Sequence, residues 1–125
     1  MKNTCSCRKK GCGGCPLLAL PYPEQLAQKQ KDVTKLLGKF GPVQTILGIE
    51  DPWHYRNKAV STFCTGPGRS LQSGIYAQGT HRVIPVEECL LHNPALDEAI
   101  AAVRAAAAAC RYEPFNEDRR TGLIR

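Results

Sequence analysis

Four of the seven cysteines in this 125-residue chain fall within eleven positions, as Cys5, Cys7, Cys12 and Cys15. The other three, Cys64, Cys89 and Cys110, lie far downstream. An odd total, a central Cys-Gly-Gly-Cys and a basic N-terminus with no apolar run behind it argue against a disulfide framework. Thiolates two residues apart can share one metal centre if the chain between them turns tightly, and Gly13 and Gly14 lack the Cβ atoms that would resist such a turn. Arg8, Lys9 and Lys10 would offset the charge of a thiolate-rich centre. A redox Cys-x-x-Cys pair lacks its expected preceding strand, and buried structural thiols do not suit so polar a neighbourhood. Zinc takes four tetrahedral Cys or His ligands; a [4Fe–4S] cluster takes four thiolates, often three clustered and one remote. Cys5 or Cys7 with Cys12, Cys15 and one distant residue would serve either, and spacing does not choose between them.

The rest of the chain must position those thiols. Its length suits one domain, and 42% hydrophobic with 22% charged residues is a soluble globular composition. The most apolar stretch, Ala99 to Cys110, is mostly alanine, contains Arg104 and falls short of the roughly 18–20 apolar residues of a membrane span. No membrane association is expected, and without a secretory signal the expected location is cytoplasmic. The net charge of +6 sits in the first half, because residues 1–58 hold all eight lysines with Arg8 and Arg56, whereas residues 59–125 balance seven arginines against seven acids. Such a half suits a polyanionic partner, nucleic acid being the usual one.

Helical periodicity at Leu26, Val33, Leu36, Leu37 and Phe40 predicts an amphipathic helix over Glu24 to Phe40, with Lys31, Lys35 and Lys39 as a ridge away from the apolar face. Val43 to Ile49 reads as a strand after Gly41-Pro42. A β-meander is expected next: Tyr55 to Thr65, with Arg56 and Lys58 on one face, then Leu71 to Gln78 and His81 to Val86, joined by turns at Gly66-Pro67-Gly68 and Gly79-Thr80. Asn93 as N-cap and Pro94 open a second helix with Leu96, Ile100, Val103, Ala107 and Cys110 along one side. Cys64 and Cys110 read as core thiols. Gly122-Leu123-Ile124 begins what reads as a further strand without a partner, as though the chain were cut short. The fold class is α+β: a small antiparallel β-meander, two amphipathic helices and an N-terminal metal-binding cysteine loop. Its expected organisation is a cysteine-rich loop over 1–22 and an α+β domain over 23–125.

Several motifs come in one order: Cys12-Gly13-Gly14-Cys15, Tyr22-Pro23-Glu24-Gln25-Leu26, Tyr55-Arg56-Asn57-Lys58-Ala59, Gly74-Ile75-Tyr76, Gly79-Thr80-His81 and Val86-Glu87-Glu88-Cys89. In that order they resemble the iron–sulfur-containing RNA (uracil-5-)-methyltransferases, especially those acting on 23S ribosomal RNA. The resemblance implies a [4Fe–4S] cluster on Cys12, Cys15 and Cys89, with Cys5 or Cys7 as the remaining ligand. The family leaves five residues between its first cysteine and Cys-Gly-Gly-Cys; Cys7 leaves four and Cys5 six, and an extra Gly11 would make Cys5 the match. The resemblance also implies that S-adenosylmethionine, the nucleophilic cysteine and the glutamate base belong to a Rossmann-like catalytic domain outside these residues, encoded downstream or separately. This chain alone is therefore expected to be non-catalytic. RNA, and 23S ribosomal RNA in particular, is the expected partner, positioned by the 23–125 domain, with Lys31, Lys35, Lys39, Arg56, Lys58, His81 and Arg82 as phosphate contacts and Tyr55 and Tyr76 as base-stacking rings. A different class of reading is a free-standing zinc-binding or RNA-binding adaptor, and a third is a truncated reading frame without function.

Overall fold

A computed structural model describes residues 5–125; the first four residues of the expected 1–22 loop, Lys2 among them, lie outside the described residues. In chain order the elements are α1 (Ser6–Lys9), α2 (Tyr22–Leu37), β1 (Thr62–Thr65), a 3₁₀ turn (Pro67–Arg69), β2 (Leu71–Tyr76), β3 (Val83–Pro85) and α3 (Pro94–Ala109). They fall into two compact units: residues 15–52 form one, and residues 5–14 with 53–125 form the other. The architecture is α+β, with an antiparallel sheet in the order β1-β2-β3. Among the described residues no helix is long and apolar enough to cross a membrane.

The unit of residues 15–52 is built on α2, which has Pro23 in its first turn and ends at Gly38. This is shorter than the periodicity predicts, and Lys39 and Phe40 lie beyond the last turn. Val43 to Ile49 is not a strand. Its backbone is held by side chains of α2 instead of by a sheet partner: the Ile46 N–H donates to Gln30 Oε1 at 2.6 Å, Gln30 Nε2 donates to the Gln44 carbonyl, and the Ile49 N–H donates to Tyr22 Oη at 2.9 Å. β-Branched residues favour extension, but a strand needs a neighbouring ladder, and Gln30 and Tyr22 take its place.

In the other unit β1 pairs with β2 through Thr62↔Gly74 and Thr65↔Leu71, and β2 with β3 through Gly74↔Pro85 and Tyr76↔Val83. The order of the meander is as expected, but each strand is shorter than expected, β1 most of all. Tyr55 to Ser61 is not part of the sheet, so the alternation that placed Arg56 and Lys58 on one strand face does not apply. Arg56 forms a parallel bridge with His92 instead: its N–H donates to the Leu91 carbonyl, and its own carbonyl accepts from the Asn93 N–H.

The cap of α3 is as predicted, the Asn93 side chain accepting from the Ala95 N–H at 3.1 Å. Its inward face differs from the expected stripe. Ala107 is buried, whereas Val103 and Cys110 are exposed. The 96, 100, 104, 107 spacing turns Arg104 inward, where its Nη1 donates to Ser73 Oγ at 3.1 Å and its Nη2 to Glu87. Ser73 is fully buried, so the guanidinium satisfies a hydroxyl that would otherwise lose hydrogen bonding on leaving water. The apolar core is small, with Ile84, Val86, Ala77, Ala107 and Cys7 as its buried members.

The last residues do find a partner. Ile124 bridges Pro114 and Thr121 bridges Asn116, with the Phe115 N–H donating to the Ile124 carbonyl and the Leu123 N–H to that of Glu113. Gly122, at φ +109°, allows the return, since a Cβ there would meet the Pro114 carbonyl. Arg125 Nη2 donates to Glu117 Oε1 at 2.6 Å, and the Tyr76 hydroxyl donates to the same oxygen at 3.4 Å. The Arg125 guanidinium beside it holds the Glu117 carboxyl below its ordinary value of 4.5. A depressed carboxylate stabilises the fold above the ordinary glutamate range, and that contribution is lost as pH falls through the lowered value. The Glu117 carboxyl carbon followed by NMR is expected to titrate at lower pH in the native chain than in Arg125→Ala; coincident midpoints would show that the pair does not hold in solution.

Candidate metal centre and nucleic-acid surface

The N-terminal cysteines are placed by a short helix and the glycine that ends it. At the end of α1 the Gly11 N–H donates to the Arg8 carbonyl and the Cys12 N–H to that of Cys7, with Gly11 at φ +88°. These two hydrogen bonds around a left-handed glycine close a helix C-terminus, which is the role of Gly11. The next residue, Cys12, bridges Ala77 beyond the end of β2. Gly13 serves close approach instead of a positive φ: a Cβ there would stand 3.0 Å from the Gln78 nitrogen and 3.2 Å from the Tyr76 oxygen.

Cys7 is buried, while Cys5, Cys12, Cys15 and Cys89 are half-buried. Burial pushes the Cys7 thiol up from its ordinary value, and charge on Cys5 or Cys12 would push it further, against a hydrogen bond from Ser6 and the positive charge of Lys10. Cys5, Cys7 and Cys12 are thus electrostatic neighbours. Cys5, Cys7 and Lys10 line a cleft of about 580 Å³ together with Glu87, Glu88 and Leu90, the residues that flank Cys89 in the chain. Cys15 belongs to the other compact unit. Among the described residues, no three His, Cys, Asp or Glu side chains are grouped as a metal would require. Two of the thiols, Cys5 and Cys7, line one cleft, and thiolate donors suit a thiophilic metal in their chemistry. Cys64 is half-buried on β1, and burial raises its thiol as well.

Cys89 sits in a tightly held loop. The His92 N–H donates back to the Cys89 carbonyl, and the His54 N–H donates to that of Leu90. His54 Nδ1 and the His92 carbonyl are 2.8 Å apart. Both oxygens of Asp97, in the first turn of α3, are engaged: Oδ2 accepts from the Cys89 N–H at 2.9 Å and Oδ1 from His92 Nδ1 at 2.7 Å. His92 is 4% exposed. In the sequence Asp97 is an ordinary first-turn acid of the kind the helix dipole favours, and His92 an ordinary loop residue. The spacing of a cysteine, a histidine three residues on and an aspartate five beyond was the available signal.

The basic and aromatic candidates are divided between the two units. Lys31 and Lys35 are exposed on α2 and Lys39 lies past its end, its Nζ 4.8 Å from the centre of the Phe40 ring. Lys58 and Tyr55 are exposed and Arg56 half-buried beside the Cys89 loop. Tyr76, His81 and Arg82 stand at the connection from β2 to β3, the Tyr76 and His81 ring centres 6.0 Å apart.

No family model matches the chain. Individual proteins do. A Bacillus cereus protein is 37% identical over 91% of the chain, one from Geobacter sulfurreducens 31% over 96%, and one from Listeria innocua 36% over 91%. All three are named uncharacterized RNA methyltransferases. The chain spans about a quarter of the length of these relatives, 25–26% in each case.

Proposed function

We propose that this chain is the cluster-bearing, RNA-positioning segment of an S-adenosylmethionine-dependent RNA (uracil-5-)-methyltransferase acting on 23S ribosomal RNA in the cytoplasm. The observation that carries the reading is similarity, over at least nine-tenths of the chain, to proteins named RNA methyltransferases. The ordered cysteines refine it. In this reading Cys12, Cys15 and Cys89 hold a [4Fe–4S] cluster with Cys5 as the fourth ligand. Cys5 is preferred to Cys7 because an extra Gly11 beside the Cys-Gly-Gly-Cys pair makes Cys5 the match in spacing. Bound there, the cluster would supply iron–thiolate bonds that staple the N-terminal loop to the start of α3.

The chain's own residues do the rest. Asp97 and His92 hold the Cys89 loop, and Lys31, Lys35, Lys39, Arg56, Lys58 and Arg82 neutralise phosphates. Such contacts set where RNA lies without reading its sequence. Methyl transfer itself, with the bound S-adenosylmethionine, the nucleophilic cysteine and the base, falls to the three-quarters of a relative's length that this segment does not span.

Anaerobic reconstitution with iron and sulfide tests the ligand set. The native chain is expected to take up iron and acid-labile sulfide in equal amounts with a broad visible absorption, and Cys89→Ser to lose both. Retained iron and sulfide in Cys89→Ser would remove that residue from the site. A colourless protein with stoichiometric zinc would favour the zinc-binding adaptor instead.

A further inference from the structure

A second cleft, of about 560 Å³, is lined by Gly13, Gly14 and the continuous run of residues 75–81. Its size lies within the roughly 300–1,000 Å³ of small-molecule sites. Two rings line it, Tyr76 and His81, inclined to one another by 52°. The Tyr76 hydroxyl is tethered to Glu117, whose charge Arg125 offsets. Gly13 lies so close to the backbone of Tyr76 and Gln78 that no side chain could stand between them, so this part of the lining is bare peptide. Gln78 is exposed, and its amide carries both donors and an acceptor. No lysine or arginine is among the lining residues, and Arg82 follows directly after His81.

We propose that this cleft receives a single unpaired base of single-stranded RNA, stacked on the His81 ring beside Tyr76 with its edge toward the Gln78 amide. The proposal rests on the RNA-positioning reading and names the part of the RNA that this site takes. Rings that line a cleft can stack only on a base whose own face is free, which a base within a duplex does not offer. A free nucleotide fits less well, because its phosphate would meet no cation inside the cleft. In a strand the phosphates stay outside, where Arg82 lies next in the chain. Stacking with one amide at the edge tolerates several bases and favours those that can pair with an amide.

The test uses the full chain and two probes. One is a short single-stranded RNA of mixed sequence with a fluorescent purine analogue at its centre; the other is the same strand with central abasic sites. The native chain is expected to bind the first about tenfold more tightly than the second and to quench its fluorescence. His81→Ala should abolish both effects, His81→Phe should restore them, and Gln78→Ala should reduce the preference. Both positions are exposed, and unchanged melting of each variant would show an intact fold. Equal affinity for the two strands would overturn the cleft proposal while leaving the RNA reading in place, as would His81→Phe behaving like His81→Ala. Failure to bind either strand would overturn the RNA reading and the cleft with it.

Discussion

Replacing Gly74 by alanine is expected to destabilise the unit of residues 5–14 and 53–125 by about 3 kcal/mol, at the upper end for an overpacked interior. Gly74 lies in the central strand, paired with Thr62 on one side and Pro85 on the other. A Cβ there would collide with the Ile84 carbonyl oxygen and stand 2.8 Å from its carbon and 2.9 Å from the Pro85 Cα. These are backbone atoms of β3 and cannot rotate aside as a flexible side chain would. Relief requires β3 to move away, at the cost of its ladder with β2 and of the burial of Ile84, which is 2% exposed. A domain of this size has about 5–15 kcal/mol of total stability, so the loss should be plain in urea unfolding. An unchanged midpoint with an unchanged slope would show that β3 does not lie where it is described.

Asp97→Ala carries the second large effect, again about 3 kcal/mol. One carboxylate accepts from two donors, the Cys89 N–H and His92 Nδ1, and its side chain is 13% exposed. Removing it strands both, and each buried donor left unsatisfied costs about 1–3 kcal/mol. Asp97→Asn should fall between, because an amide can accept from one donor while its own N–H₂ faces the other. The same loosening should release the Cys89 loop, so alkylation of Cys89 is expected to quicken more in Asp97→Ala than alkylation of Cys64. Native stability in Asp97→Ala, or Cys89 reactivity unchanged relative to Cys64, would contradict the clamp.

Much of the frame was legible residue by residue, because its signals are local. Asn93-Pro94 marks the start of α3 through a cap and a missing donor. Gly66-Pro67-Gly68 and Gly79-Thr80 mark the reversals of the meander through their turn chemistry. The density of thiols near the N-terminus also needs no structure to be seen. Arg104, Asp97 and His92 were not legible in this way. Each looks like ordinary helix or loop composition until the element packed against it is known.

The sequence by itself determined the α+β class, the order β1-β2-β3, the cap of α3 and the identity of the candidate thiols, since these depend on backbone propensity and on residues a few positions apart. Tertiary structure alone decided that Val43 to Ile49 is held by α2 instead of by a sheet, that Arg56 bridges His92 instead of extending β1, and that Arg104 turns inward to Ser73. It also decided that Asp97 clamps the Cys89 loop and that Gly13 and Gly14 meet residues 75–81 around one cleft. The physical reason is common to all of them: a polar backbone or side-chain group must find a partner when it leaves water, and which partner it finds depends on segments distant in sequence that only the folded chain brings together.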